Sequence, residues 1–402
     1  MPMSHHSHDT PQHGITPESS AYHRQAPAGF LERAGVQYYL RLAARQQPTI
    51  RHTRIDDLPA DSVLQSKTRA VALGSALVAT LLGAASSAVP VWFQLRFEHQ
   101  VDAGAFYSAW LGITLICTLL EFVALFWLSL WAVHRIAAIT GHQPEEDDPY
   151  LPGDDAVPNL LARAALELPD PVVRYLGVDP MKYISKPKLL IVGFLYKAKI
   201  ILTTVAAKFI LQRLGGKVVS RVDLAWMSVP VAAVWNAIVM VQIVKEARLR
   251  LYGHRLAYYL VEEVMTDAFL ARLSPLAREG AIRAISTMMV MTQSHHPNML
   301  ILLYQFSRDL KIQDQSDYDD WALFLDLLQQ VKPDERFFLL DVLSVAAAFD
   351  GRLSRLEKQQ LPLAFGSHTL DYMDRIRRLR DCLVSGQIHA AKLACQLDFL
   401  PG

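Results

Sequence analysis

Two long apolar segments dominate the first third of the chain. Residues 71–93 contain no charged side chain, and residues 106–133 contain only Glu121. A helix of about 20 apolar residues is long enough to cross roughly 30 Å of hydrocarbon. Neither segment carries the polar stripe that marks a helix on the surface of a soluble protein. The pattern therefore predicts a transmembrane helical hairpin over residues 69–139 and an integral membrane protein.

The composition limits the functions that such a protein can have. The chain has 402 residues and a formal net charge of +1, so it lacks the concentrated positive charge that nucleic-acid binding needs. Its three cysteines are far apart in sequence and fit neither a zinc motif nor a disulfide framework. No phosphate-binding loop, nucleophile elbow or metalloprotease motif is present. We expect no nucleic-acid partner, no cofactor and no catalytic activity.

The charges that flank the apolar segments predict an orientation. Lys67 and Arg69 precede the first segment, Arg135 follows the second, and the linker at 94–105 is slightly acidic. Lys and Arg are enriched on the cytoplasmic side of membrane helices. We therefore expect a multi-pass protein of the bacterial inner (plasma) membrane, with cytoplasmic N- and C-termini. Small side chains in the first span, including Gly83, favour close packing on the second span or on another copy in a homo-oligomer.

The remaining sequence divides into segments of different character. We predict a disordered tail at 1–28, an amphipathic juxtamembrane segment at 29–68, an acidic and Pro-rich linker with short helices at 140–187, an apolar helical hairpin at 188–250, and a cytoplasmic helical bundle at 251–402. The fold class is all-α throughout, because no run of alternating β-branched residues competes with the helical spacing.

Whether the hairpin at 188–250 crosses the bilayer depends on two lysines. Lys197 and Lys199 point in different directions on a helix, so no single polar face shelters both. Each charge near the bilayer centre costs at least about 2.5 kcal/mol. We expect the hairpin to dip into the cytoplasmic leaflet, and full spanning is the alternative because residues 224–244 alone are long enough.

Two polar residues inside apolar segments, Glu121 and Asn236, are candidate functional residues. Glu121 is interpreted either as a protonated carboxyl bonded to Ser or Thr of the first span, or as a proton or cation site in an oligomeric channel or transporter. Asn236 is expected to bond to a neighbouring helix. Lys245, Arg248 and Arg250 form a basic collar that would face anionic lipid headgroups, although a solvated helix end explains the same residues without lipid recognition and is the preferred interpretation.

Residues 345–357, VAAAFDGRLSRLE, resemble the TerB-like module of bacterial tellurite-resistance and membrane-stress proteins. The resemblance implies a helical scaffold or cation-responsive unit beneath the membrane, with Asp350 and Glu357 as the acidic positions that bind the metal. The alternative is structural: Asp350 and Gly351 end one helix, and Ser354 with Glu357 forms a capping box on the next.

The apolar run at 229–248 resembles the hairpin of EcsC-like and YcjF-like bacterial membrane proteins, which carry an Asn in an apolar helix and a basic exit. Together these features predict a membrane-anchored scaffold or regulatory protein, related to envelope or stress responses. We expect the lipid bilayer to be one partner and other proteins to bind through the bundle. An oligomeric channel or transporter component that uses Glu121 is the competing hypothesis.

Overall fold

The computed structural model describes residues 23–24, 30–43, 54–100, 102–142, 156–166, 173–174, 178, 226–293, 296–307, 318–351 and 353–397. Apart from turns, short connections and the single bridge residue Val178, these residues are helical, with one antiparallel pairing of two residues between β1 (His23–Arg24) and β2 (Val173–Arg174). The predicted all-α fold is confirmed. The rest of the predicted disordered tail, and the first arm and tip of the hairpin predicted at 188–250, lie outside the described residues.

The first five helices include all the long ones. They are α1 (Phe30–Ala43), α2 (Asp61–Phe97), α3 (Ala103–Ile139), α4 (Ala156–Leu166) and α5 (Ser228–Tyr259), which continues into a π-helical turn at Leu260–Val264. Three of them, α2, α3 and α5 with its π-helical turn, are long and apolar enough to cross a membrane.

Eight shorter helices follow in the described part of the chain and form the body. They are α6 (Asp267–Leu270), α7 (Pro275–Thr292), α8 (Pro297–Ser307), α9 (Trp321–Gln330), α10 (Pro333–Phe349), α11 (Arg355–Phe365), α12 (Thr369–Ser385) and α13 (Ile388–Ala394). Local signals set their ends: Ser274, Asp320 and Ser354 accept backbone N–H groups at the starts of α7, α9 and α11, as N-cap residues do.

The helix α2 packs on both α3 and α5. Its buried side is made mostly of small residues, among them Ser75, Ala79 and Gly83. A Cβ atom on Gly83 would lie only 2.7 Å from the backbone oxygen of Ala232 in α5. The small side chains of α2 therefore allow both α3 and α5 to pack closely against it.

A band of exposed apolar side chains surrounds these three helices. Leu73, Leu81, Leu115 and Leu119 are each more than 60% exposed. Exposed aromatic residues mark both ends of the band: Trp92 and Tyr107 lie at one end, and Trp127 and Trp131 lie at the other. On α3 these ends are about 30 Å apart at 1.5 Å per residue, which matches the thickness of the hydrocarbon layer. Trp and Tyr are enriched at both membrane–water interfaces.

The helix α5 joins the band to the body without a break. Near its start Val234 and Ile238 are exposed, whereas every residue from 247 to 258 is buried. The predicted boundary between 250 and 251 falls inside this continuous helix. The apolar side chains of α5 lie in the exposed band near the start of the helix and in the body core further along, while the backbone stays helical throughout.

The start of α2 is also part of the body. Asp61 accepts hydrogen bonds from the backbone N–H groups of His389 and Ala390 at the start of α13, both at 3.0 Å. Lys392 pairs with Asp56 at 2.7 Å. Leu64 contributes to the hydrophobic core of the body. The predicted boundary between 68 and 69 is therefore also crossed by a continuous helix.

The close approach at Gly83 predicts a specific sensitivity to substitution. Gly83→Ala should lower the unfolding temperature of the detergent-solubilised protein and cost about 1–3 kcal/mol, because the new methyl group meets backbone atoms that cannot move aside. Gly74→Ala is the matched control, since a Cβ there has nothing within 4 Å. Equal unfolding temperatures for the two variants would contradict the packing of α2 on α5.

Candidate functional site

Three polar residues of the apolar band meet at one point. Glu121 of α3 is half-buried and lies between Ser86 of α2 and Asn236 of α5. The Ser86 hydroxyl lies 2.7 Å from Oε2 of Glu121, and the Asn236 side-chain amide donates to Oε1 at 2.5 Å. We call these three residues the Glu121 triad. Each residue comes from a different helix, so the triad links all three candidate membrane spans.

The hydroxyl of Ser86 has two partners and one proton. Its Oγ lies 3.2 Å from the backbone oxygen of Gly83 as well as 2.7 Å from Glu121. One hydroxyl proton cannot be donated to both. A neutral carboxyl at Glu121 would satisfy every contact, because its O–H would donate to Ser86 and Ser86 would donate to Gly83. The geometry places Glu121 in contact with a serine of the first span, as the structural interpretation expects, and its protonation stays a prediction.

The triad was only partly readable in the sequence. Glu121 and Asn236 stand out because each interrupts an apolar run, and the structure places them in contact. Ser86 is one of several small polar residues of α2, and its selection depends on the register between α2 and α3. Gly83 is the further element that sequence reasoning grouped with the other small residues. It lets Asn236 come within reach, since a Cβ at Gly83 would lie 2.6 Å from the Asn236 amide nitrogen.

The basic collar of α5 has a different position from the one expected. Arg248 and Arg250 are 8% and 6% exposed, so the interpretation of these two residues as lipid-facing is corrected. Arg248 donates to the backbone oxygen of Val384 at 3.4 Å, near the end of α12, where a positive charge is favourable to the helix dipole. Arg250 pairs with Glu246 at 2.7 Å. Lys245 is exposed. The body surrounds this part of α5, which explains why two of the three side chains are buried in protein.

The acidic pair of the TerB-like resemblance takes structural positions. Glu357 accepts a hydrogen bond from the backbone N–H of Ser354 at 2.6 Å, and the Ser354 hydroxyl accepts from the N–H of Glu357 at 3.1 Å, which together form a capping box. Burial raises the pKa of Glu357, against the lowering effect of its bonds to Ser354. Asp350 ends α10, and Gly351 follows with φ +72°.

A cation site at Asp350 and Glu357 would need further ligands. Among the described residues no group of three or more His, Cys, Asp and Glu side chains is arranged to hold a metal ion. Two carboxylates are fewer than the six to eight oxygens that calcium takes. The capping geometry accounts for Ser354 and Glu357 at the start of α11.

A buried histidine pair connects the end of α3 to α5. Nε2 of His142 lies 3.1 Å from Nδ1 of His254, and Nδ1 of His142 lies 2.8 Å from the Thr140 hydroxyl. Arg255 donates to the backbone oxygens of Thr140 and Gly141 at the end of α3. Burial, with the added effects of the positive charge of Arg255 and of the neighbouring His254 ring, holds the pKa of His142 well below its ordinary value of 6.5.

Sequence reasoning missed this histidine pair. The two residues are separated by more than a hundred positions, and each is a lone His beside an apolar run. A helix end rich in polar residues, such as Thr140–Gly141–His142, signals a cap but does not identify its partner. The pair is recognisable only when α3 and α5 lie side by side.

Comparison with known proteins gives a simple result. No family model, no curated protein and no solved structure matches this chain. The resemblances to TerB-like modules and to EcsC-like and YcjF-like hairpins therefore stay predictions, and the function is argued from the geometry.

The triad predicts opposite results for two substitutions at one position. Glu121→Gln should leave the unfolding temperature in detergent nearly unchanged, because its amide donates to Ser86 and its oxygen accepts from Asn236. Glu121→Leu should lower the stability by about 1–2 kcal/mol, since it leaves two polar groups without a partner. A larger loss for Gln than for Leu would show that the carboxyl is charged and that its charge is needed.

The histidine pair predicts a loss of stability on mild acidification. Because the pKa of His142 is lowered on folding, the unfolded chain binds a proton below about pH 6.5 that the folded chain does not bind. The free energy of unfolding should therefore fall as the pH drops from 6.5, by up to about 1.4 kcal/mol per pH unit for one proton. His142→Gln should make the free energy of unfolding less dependent on pH between 7.5 and 5, as measured by thermal unfolding. His368→Gln is the control, because His368 is exposed, and an unchanged slope in His142→Gln would contradict the assignment.

Proposed function

We propose that this chain is a membrane-anchored scaffold or regulatory protein of the bacterial inner membrane, with its helical body in the cytoplasm. The observation that carries the proposal is the continuity of α5. One helix contributes both to the exposed apolar band and to the centre of the body core. A body built around the end of such a helix is held at a fixed position against the bilayer.

The surface of the three long helices supports insertion in a membrane. Exposed leucines on α2 and α3 would be costly in water, and contiguous apolar surface of this kind marks a membrane or protein contact. The aromatic residues at both ends match the two interfaces of a bilayer. At the body end of the band lie Lys67, Arg69 and Arg135, and this excess of positive charge favours a cytoplasmic body.

The position of α5 favours spanning over dipping for the second arm of the hairpin. It lies along α2 for most of the apolar length of that helix, and Gly83 meets Ala232 close to its start. The first arm, at 189–211, lies outside the described residues, so the proposal concerns the second arm alone.

The Glu121 triad supports a structural role rather than transport. Both oxygens of Glu121 have partners within the same chain. An ion or proton path would require this carboxyl to face a water-filled passage, whereas here it joins helices. We therefore favour the scaffold over the oligomeric channel, and we infer no catalytic activity.

A patch on the body is the proposed site of protein recruitment. Leu363 of α11 and Leu370 of α12 are 62% and 84% exposed and flank a 3-10 turn at Gly366–His368. The His368 ring in this turn packs on Phe337, which is itself 39% exposed, with ring centroids 5.3 Å apart. We call Phe337, Leu363 and Leu370 the turn patch. Exposed apolar groups that cluster in this way favour contact with another protein.

The test uses the intact chain, because deletion of residues 256–402 would expose the buried half of α5. A photo-cross-linking amino acid at position 370 should give discrete adducts in cells, and Leu363→Glu should remove them. The same amino acid at Lys358, an exposed position on α11, is the control and should give none. Adducts at multiples of the chain's own mass would identify a homo-oligomer.

Two results would contradict the proposal. Extraction of the intact chain from vesicles by alkaline carbonate would exclude membrane anchoring. Ion flux through the reconstituted protein that is lost in Glu121→Gln would favour the channel, because this variant is expected to keep the fold.

A further inference from the structure

An open cleft lies at the body end of the apolar band, between α2 and α3. Its volume is about 650 Å³, within the usual range for small-molecule sites. Its walls include Lys67 and Val71 of α2, Trp131, Arg135 and Ile139 of α3, and Pro59, which precedes α2. We call it the interface cleft, because it is level with the aromatic residues that end the band.

Two cations line the interface cleft. Lys67 is exposed and, within the described part of the chain, forms no hydrogen bond or ion pair. Arg135 is exposed, and its guanidinium lies 5.5 Å from the ring centroid of Trp131. The Trp131 ring thus orients Arg135 through a cation–π contact, while the five N–H groups of the guanidinium stay available for an anion.

The apolar side of the cleft continues into the exposed band. Val78 lies two helical turns beyond Val71 on the same face of α2 and is 44% exposed. On α3, Trp127 lies one turn beyond Trp131 and is 46% exposed, and Leu120 further on is 64% exposed. A ligand with an anionic head in the cleft could therefore lay an apolar chain along this surface.

We propose that the interface cleft binds the headgroup of an anionic phospholipid, with Lys67 and Arg135 contacting its phosphate and Trp131 placed at the level of the glycerol backbone. The inference rests on the membrane insertion proposed above. It also replaces the basic collar as the lipid contact, because Arg248 and Arg250 are buried in the body, whereas Lys67 and Arg135 are exposed at the proposed membrane surface.

A phospholipid fits this cleft better than a free anion does. A soluble phosphate would be bound by the two cations alone, in contact with water, and such exposed contacts are weak. A lipid in the bilayer holds its phosphate at the level of Lys67 and Arg135 while its acyl chains lie along Val78, Trp127 and Leu120, whereas a free anion must be drawn from water. The continuity of the charged cleft with the apolar band is therefore the feature that selects the lipid.

The experiment measures lipid binding to the full-length protein in detergent by native mass spectrometry, with phosphatidylglycerol and phosphatidylcholine as probes. The wild-type protein should bind phosphatidylglycerol more tightly. The double variant Lys67→Gln with Arg135→Gln should weaken that binding by roughly 25-fold, about fivefold for each cation near an anionic surface. Both side chains are exposed, so the variant should keep its unfolding temperature.

The matched control removes two positive charges outside the cleft. Arg69→Gln acts at the same end of α2, on a residue that does not line the cleft, and Arg96→Gln acts at the opposite end of α2; both residues are exposed. This double variant should bind phosphatidylglycerol almost as the wild type does. An equal loss in the two double variants would overturn the proposal in favour of a general effect of surface charge.

The remaining outcomes distinguish a failure of the lipid-binding proposal from a failure of the membrane insertion on which that proposal rests. Unchanged phosphatidylglycerol binding in Lys67→Gln with Arg135→Gln, in a protein that carbonate does not extract, would overturn the cleft alone. Extraction of the wild-type chain by carbonate would overturn the insertion and the cleft with it. Displacement of phosphatidylglycerol by excess inorganic phosphate would identify a free anion as the ligand and would also overturn the lipid assignment.

Discussion

The close approach of α2 and α5 is the constraint on which the rest of the arrangement depends. At Gly83 the two backbones come so near that even one methyl group would meet Ala232. Only at this separation can the short side chain of Asn236 reach past α2 to the carboxyl on α3. The triad, the band and the position of the body all follow from how these three helices are placed. A residue with no side chain thus determines where the polar side chains can meet.

The same three helices solve a problem that polar groups pose in apolar surroundings. A carboxyl, an amide and a hydroxyl would each be costly without partners, but here they satisfy one another across three elements. At the C-terminal end of α3, Arg255 satisfies backbone carbonyls, because its guanidinium donates hydrogen bonds to the oxygens of Thr140 and Gly141. Positive charge near a helix C-terminus is favourable. The connections between α3 and α5 are therefore polar at two levels, the triad within the band and the Arg255 contact at its body end.

Local signals in the sequence predicted the helices well. The end of the helix Pro333–Phe349 was predicted, because an Asp-Gly turn follows it. The capping box of Ser354 and Glu357 was recognisable from a spacing of three residues. The apolar runs at 71–93 and 106–133 gave two of the three helices that are long enough to span a membrane. Each of these features depends on residues close together in the chain.

Features that depend on distant residues were not predictable in the same way. The burial of Arg248 and Arg250 follows from the body surrounding α5, and the sequence pattern of a basic helix exit does not distinguish lipid from protein as the neighbour. The boundary placed at 250 had the same origin, since apolar spacing continues through it. His142 and His254 lie on different elements, and no local pattern relates them.

The continuity of α5 has a consequence for how the chain acquires its structure during synthesis. The helices α6 to α13 are made after α5, and they pack around the buried end of that helix. Ile55, Leu58 and Leu64, which complete the same core, come from an earlier part of the chain. The body therefore has no complete interior of its own until both of these segments are in place. A body detached from α5 would present an open groove where that helix belongs.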